Sequence, residues 1–230
     1  MMSGIVWLQK TDPPQALPAT ARALREPNGL LAVGGALTPE WLIHAYRRGV
    51  FPWFSSGQPI LWWAPDPRAV LVPAEFRIAR SLARSIRKRG FETRIDTAFE
   101  AVIDACAGPR RGIAGTWITG EMRDAYLVLH QRGLAHSIEA WRDECLVGGL
   151  YGVALGRAFF GESMFTRAPD ASKVALAGLV QECLRLDVPL IDCQLPSPHL
   201  ASLGSRELPR VDFESRLADL VDADARLWRG

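Results

Sequence analysis

The sequence predicts a mixed α/β fold, and three observations carry that expectation. Downstream of residue 68 the hydrophobic pattern switches repeatedly between the two-residue period of a strand and the 3.6-residue period of a helix. Three strand-like runs, 136–141, 146–153 and 158–165, follow one another across the short turns Asp143-Glu144 and Gly156-Arg157, which predicts an antiparallel meander. A helical run at 172–186 then separates the third of them from the apolar segment Leu190–Gln194, as a crossover helix does.

Taken in order, the first forty residues mix Pro13, Pro14, Pro18, Pro27 and Pro39 with Gly29, Gly34 and Gly35, so loops with short strands at most are expected there. Leu30–Val33 is one such strand. Thr38 caps a helix that has Pro39 in its first turn and Leu42, Ala45 and Tyr46 on its apolar face, and Gly49 stops it. The stretch 50–63 places Phe51, Trp53, Phe54, Trp62 and Trp63 among prolines and glycine. It predicts an irregular aromatic loop, lining either a seam within the protein or a ligand. Pro65 and Pro67 break helix and strand alike, dividing a small N-terminal domain, 1–66, from a larger one, 67–230.

After a strand at 69–72, residues 76–90 read as a helix. Arg77, Arg80, Arg84, Arg87 and Lys88 fall within an arc of roughly 100°, opposite Ile78, Leu82 and Ile86. No acid lies between Glu75 and Glu92, so the stripe carries one sign. It fits a solvated basic face or contacts with a phosphate backbone. A strand at 91–95 and a helix at 98–107, capped by Asp96 or Thr97, come next. A basic loop at 108–112 and a helix at 121–131 lead into the meander, and an amphipathic helix around 213–220 lies near the end.

Composition narrows the function classes. A hydrophobic fraction of 48% with 23% charged residues is that of an ordinary globular protein, and 230 residues suffice for one large domain with a smaller companion. The net charge of +2 says nothing for or against nucleic acid; only local clusters do. Cys106, Cys145, Cys183 and Cys193 show neither metal-ligand spacing nor a disulfide framework, so reduced thiols and no metal site are expected. The N-terminus lacks a signal-peptide pattern and no apolar run is long enough to span a bilayer, which predicts a cytoplasmic, soluble protein. The motifs of dinucleotide-binding proteins, P-loop enzymes, serine hydrolases and zinc proteases are absent. Of the four histidines only His199 lies close to a chemistry-bearing segment.

That segment is Leu190–Gln194. On a strand, Asp192 and Gln194 share one face and Cys193 takes the other, so Cys193 reads as a small buried hydrophobe. A carboxylate and a carboxamide side by side on an apolar strand are costly unless they serve each other or a ligand. A second embedded acid, Glu162, lies in Phe159-Phe160-Gly161-Glu162-Ser163-Met164-Phe165, and the two segments are candidate walls of one pocket. Two carboxylates and an amide suit attack by an amine on an activated ester. Asp192 with Gln194 would orient the amine and draw off its proton, and Glu162 would anchor a second amino group. The element order is that of an N-acetyltransferase-like architecture, yet the loop that holds the pyrophosphate of coenzyme A is missing, so a different acyl donor is expected.

Six runs in register carry a more specific likeness: Leu24–Ala32, Gly49–Phe54, Trp62–Arg68, Gly115–Thr119, Phe160–Phe165 and Ile191–Gln194. Together they resemble the bacterial leucyl/phenylalanyl-tRNA–protein transferases over nearly the whole chain. The resemblance implies a small N-terminal domain joined to an acetyltransferase-like catalytic domain. It implies transfer of Leu, Phe and, less well, Met from tRNA to proteins beginning with Lys or Arg, which marks them for N-end rule degradation. It also explains the missing coenzyme A loop, so no coenzyme A and no other cofactor are expected; no membrane partner is expected from the hydropathy, and nothing in the sequence demands more than a monomer. By motif, Asp192, Gln194 and Glu162 are the polar active-site group. Trp53, Trp117, Phe159 and Gly161 line the aminoacyl pocket, with Tyr126, Ser163 and Ser197 beside it. The family's proposed relay makes Gln194 accept the amine proton with help from Asp192; orientation of the amine is physically sounder, because a carboxamide is a very weak base. An apolar slot discriminates Leu, Phe and Met from β-branched residues by only ~1–3 kcal/mol. Arg77, Arg80, Arg84, Arg87 and Lys88 would hold the tRNA acceptor stem. Ser197 stands where the family often has Asn, within the stiff Leu195-Pro196-Ser197-Pro198. An acyltransferase with another donor and a non-catalytic RNA-binding module are the alternatives; the latter has no use for two buried acids.

Overall fold

The computed structural model describes residues 4–108, 116–223 and 228, and not the side chain of Lys88. The chain runs β1 (Val6–Leu8), β2 (Leu30–Gly34), α1 (Pro39–Arg47), β3 (Phe51–Pro52), β4 (Leu61–Trp63), β5 (Arg68–Leu71), α2 (Arg80–Lys88), β6 (Glu92–Ile95) and α3 (Phe99–Ala107). It continues with α4 (Gly120–Gln131), β7 (Ala135–Arg142), β8 (Cys145–Leu155), β9 (Ala158–Thr166), α5 (Ala171–Leu186), β10 (Leu190–Gln194), α6 (Pro198–Ser202), β11 (Arg206–Leu208) and α7 (Arg210–Val221).

The fold is mixed α/β, as the sequence predicts. A four-stranded sheet has the order β1-β2-β4-β3, and a seven-stranded sheet the order β11-β5-β10-β9-β8-β7-β6. The meander β7-β8-β9 is antiparallel, and α5 carries the chain over to β10, which lies parallel to β9. Along β8 the side chains alternate between two apolar layers: Tyr151 and Val153 join the cluster that holds α1, α3, α4 and α7, while Leu150 and Ala154 join the cluster beneath α5. Gly152 admits the neighbouring strand, because a Cβ there would lie 2.2 Å from the carbonyl oxygen of Phe160.

Local signals account for the helix ends. The Thr38 hydroxyl accepts a hydrogen bond from Trp41 N, and the Thr119 hydroxyl from Met122 N. Helix α3 is capped from outside: Glu139, fully buried on β7, accepts from Ala98 N at 2.9 Å, where the sequence suggested Asp96 or Thr97.

Three expectations need correction. The aromatic stretch 50–63 is irregular only at 53–60; its flanks contribute β3 and β4, paired to each other. Pro52 is tolerated because β3 is an edge strand, where its missing N–H costs no ladder bond. The basic helix starts at Arg80 rather than near Phe76: Arg77 N donates to Leu203 O at 2.9 Å, and Ala79 is extended, at φ −61° and ψ 151°. A tertiary bond has overridden helical propensity there. Finally β1, α6 and β11 were not foreseen, being three to five residues long. The basic loop expected at 108–112 lies, beyond Gly108, outside the described residues.

Candidate active site

The site forms where the large sheet comes apart. Strands β9 and β10 are in register through Phe160 and Asp192, and no pairing follows. Both strands are irregular just past that point. On β9, Ser163 faces Tyr151 and Gly161 faces Gly152, so Glu162 is an extra, bulged residue. On β10, Asp192 faces Val70 and Gln194 faces Ala69, so Cys193 is the extra residue against β5. A bulge bends its strand and re-aims the side chains beside it. Gln194 also has φ 64°, a left-handed conformation that a residue with a Cβ adopts at a cost of about 1–2 kcal/mol.

Between the parted strands opens a cleft of about 280 Å³, near the small end for ligand cavities and suited to one amino-acid-sized group. Leu150, Met164, Leu176, Leu179 and Ile191 form its apolar wall, and Glu162, Ser163, Gln194, Ser197 and His199 its polar side.

Glu162 is the hub of the polar side. Its Oε1 accepts from the Tyr46 hydroxyl at 2.7 Å and from Gln194 Nε2 at 2.8 Å, and its Oε2 from the Tyr126 hydroxyl at 2.8 Å. The two hydroxyls are themselves 2.5 Å apart. Three close contacts thus link two phenols and one carboxyl. Removal from water pushes the Glu162 carboxyl up to about 7, against the three donors, which favour the charged form. Burial drives both phenols well above their ordinary range, so both remain donors near neutral pH.

Asp192 is placed differently. Both it and Arg68 are 1% exposed, and they form a two-point ion pair: Arg68 Nε to Oδ1 at 2.8 Å and Nη2 to Oδ2 at 2.6 Å. Oδ1 also accepts from Gln194 N at 2.9 Å. Asp192 therefore grips the backbone of Gln194, while the Gln194 side chain turns to Glu162. The bulge at Cys193 and the φ of 64° at Gln194 break the regular alternation the sequence predicts, and Cys193 packs against the α5 layer, where burial pushes its thiol up.

Tyr126 thus meets Glu162 directly, and Gly161, Ser163 and Ser197 line the cleft. Ser197 also caps α6, accepting from Leu200 N at 3.1 Å. His199 lines the cleft with its pKa lowered by burial. Phe159 is fully buried in the α5 layer against Trp228, outside the cleft lining. Trp53, 40% exposed, packs against Trp63 with the two rings tilted by 59°, and Trp117 packs against the opposite core, on the side of Tyr46 and Tyr126. The cleft lining includes neither tryptophan. Arg80, Arg84 and Arg87 are exposed on α2 and Arg77 on the segment before it, and among the described residues none is held in an ion pair. Lys88 lies outside the described side chains.

Sequence reasoning missed Arg68 and Tyr46 as site residues, and the whole aliphatic wall. Tyr46 reads only as the apolar face of α1, and Arg68 only as the residue after a proline pair. Among the described residues no group of three or more His, Cys, Asp or Glu is placed to hold a metal ion, and no helix is long and apolar enough to cross a membrane.

Comparison with known proteins identifies the family. The sequence model for leucyl/phenylalanyl-tRNA protein transferase matches residues 70–218, and that for the same proteins' N-terminal domain matches residues 35–66. The leucyl/phenylalanyl-tRNA–protein transferase of Azoarcus sp. (strain BH72) is 62% identical over 209 residues, covering 91% of this chain and 88% of that protein. That of Thiobacillus denitrificans is 58% identical over 205 residues, covering 89% of this chain and 90% of the relative. Among solved structures, a ribosomal-protein-alanine N-acetyltransferase from Brucella melitensis biovar Abortus 2308 is similar at a TM-score of 0.34 and 15% identity, over 61% of this chain and 99% of that one. On the matches that span nearly its whole length, the chain belongs to the leucyl/phenylalanyl-tRNA–protein transferase family.

Proposed function

We propose that this aminoacyltransferase moves leucine, phenylalanine and, less well, methionine from their tRNAs onto proteins that begin with Lys or Arg, marking them for N-end rule degradation in the cytoplasm. The observation that carries the reading is Glu162, held by two phenols and Gln194 at the polar end of an apolar, amino-acid-sized cleft. The donor's side chain enters between Leu150, Met164, Leu176, Leu179 and Ile191, and Gly161 leaves room at its entrance. The donor's α-ammonium meets Glu162. Of that carboxylate's acceptor sites, Tyr46, Tyr126 and Gln194 occupy three, which leaves one on Oε2.

Gln194 spends its amide N–H on Glu162, so its carbonyl oxygen is available to the attacking amine of the acceptor protein. It orients that amine rather than deprotonating it. The amine nitrogen bonds to the ester carbonyl carbon, the bond to the ribose oxygen breaks, and the amine proton ends on that oxygen. No covalent enzyme intermediate and no cofactor are required. Asp192 acts one step back, by fixing Gln194. Trp53, Trp117 and Phe159 then support the cleft from neighbouring layers, with Tyr126, Ser163 and Ser197 on its polar side. The exposed row Arg77, Arg80, Arg84 and Arg87, together with Lys88, takes the phosphates of the acceptor stem without reading sequence. A division into residues 1–66 and 67–230, working as a monomer, belongs to the same proposal; the two family matches, 35–66 and 70–218, fall on either side of it.

The test is transfer of radiolabelled Leu or Phe from charged tRNA to a peptide beginning with Arg, beside an acetyl-blocked copy. Label on the free-amine peptide alone is expected. Equal labelling of both peptides, or of one beginning with Ala, would refute the acceptor assignment.

A further inference from the structure

We propose that Arg68 is a positioning residue for the transfer reaction, acting through Asp192 on Gln194. The inference rests on the reading of Gln194 as the group that orients the attacking amine. Arg68 does not line the cleft, yet its guanidinium is held by two aromatic rings and by a carboxylate. Its carbon lies 4.8 Å from the ring centroid of Phe51 on β3 and 4.8 Å from that of Phe213 on α7. Held between those rings, the planar fork meets both oxygens of Asp192, so the carboxylate has one orientation.

That orientation is transmitted onward. The oxygen that accepts from Arg68 Nε, Oδ1, also accepts from Gln194 N. Gln194 sits at φ 64° only while something holds it there. Freed from Asp192, it would relax toward ordinary extended backbone, and its carboxamide would leave Glu162, now 2.8 Å away. An apolar pair would fill the space between Phe51 and Phe213 at least as stably as two buried charges. It would not offer Gln194 a directed acceptor. The two aromatic rings come from elements far apart in the chain, so the small sheet and the last helix together set the geometry of an active-site amide neither one touches.

The test measures kcat and the KM for phenylalanyl-tRNA in Arg68→Lys, Gln194→Ala and the double variant, with thermal melting of each. Lysine keeps the charge but cannot grip both oxygens. Arg68→Lys is expected to lower kcat about 10- to 100-fold, the scale of a misplaced reacting group, with KM unchanged. In the Gln194→Ala background the same substitution is expected to change kcat by less than about twofold, although it shifts the melting temperature equally in both backgrounds. Phe51→Leu, which removes one face of the sandwich, should show a smaller loss with the same dependence on Gln194, and it carries the comparison if Arg68→Lys does not fold. Equal losses with and without Gln194 would overturn the proposal while leaving Gln194's role intact. Wild-type kcat in Gln194→Ala would instead overturn the role of Gln194, and the proposal with it.

Discussion

Replacing Asp192 by alanine removes one half of a buried ion pair whose two side chains are each 1% exposed. Arg68 is then left charged between two aromatic rings with no anion, a defect that costs about 3–5 kcal/mol in comparable sites. Gln194 N loses its acceptor as well. For a chain of 230 residues, each kcal/mol moves the melting temperature by about 2–4 °C, so a fall of roughly 6–20 °C is expected. Thermal and urea melts followed by circular dichroism and tryptophan fluorescence measure it, with transfer to an Arg-peptide assayed well below the transition. Arg68→Met combined with Asp192→Leu should recover most of the stability, since Nη1 of Arg68 already lacks a partner and removing both charges ends the desolvation problem. Transfer should stay depressed, because no acceptor for Gln194 N returns. An Asp192→Ala protein melting within about 2 °C of wild type would refute the reasoning, as would a double variant as unstable as the single.

Four further outcomes follow from the same geometry. The folded state raises Glu162 to about 7 from an ordinary value of 4.5, so between those values it holds a proton that the unfolded chain has released. The group's contribution to stability is therefore full below about pH 4.5 and is lost as pH rises through 7. Urea midpoints should fall over that window in wild type and fall less in Glu162→Gln. Changing Arg80, Arg84 and Arg87 together to Gln should weaken tRNA binding and reduce the slope of log affinity against log salt by about 2–3; an unchanged slope would remove α2 from the interface. Gly152→Ala would set a methyl 2.2 Å from the Phe160 carbonyl, forcing β8 from β9 beside the Glu162 bulge. A loss of at least about 1–3 kcal/mol in denaturant unfolding is expected. Leu179→Trp narrows the apolar wall and should reduce transfer of Phe more than that of Leu, read as the ratio of the two kcat/KM values.

The element order was legible from residue 68 onward because its strands and helices bury one face each, and burial on one face writes a period into the sequence. The meander, α5 and β10 fall where the pattern puts them. The small sheet was not legible: β1 and β3 have three and two residues, too short for a period, and exist because partners on other segments complete their ladders. Helix α2 shows the converse, a helical pattern cut short by one backbone bond from Arg77 to Leu203.

For the candidate site, the chain alone picked out Glu162, Asp192 and Gln194, because acids and amides embedded in apolar strands are conspicuous. What each group does with its hydrogen bonds was decided by the tertiary structure. Tyr46, Tyr126 and Glu162 are separated by as many as 116 positions in the chain, and Arg68 and Asp192 by 124. No local pattern announces such a meeting. The bulges at Glu162 and Cys193 depend on strands that pair only after folding, and they turn a regular sheet into a cleft. Residue type and periodicity are properties of a segment, so the sequence determined which side chains are chemically unusual; distance and orientation are properties of the assembled sheet, so only the fold decided which of them face the cleft and which hold the others in place.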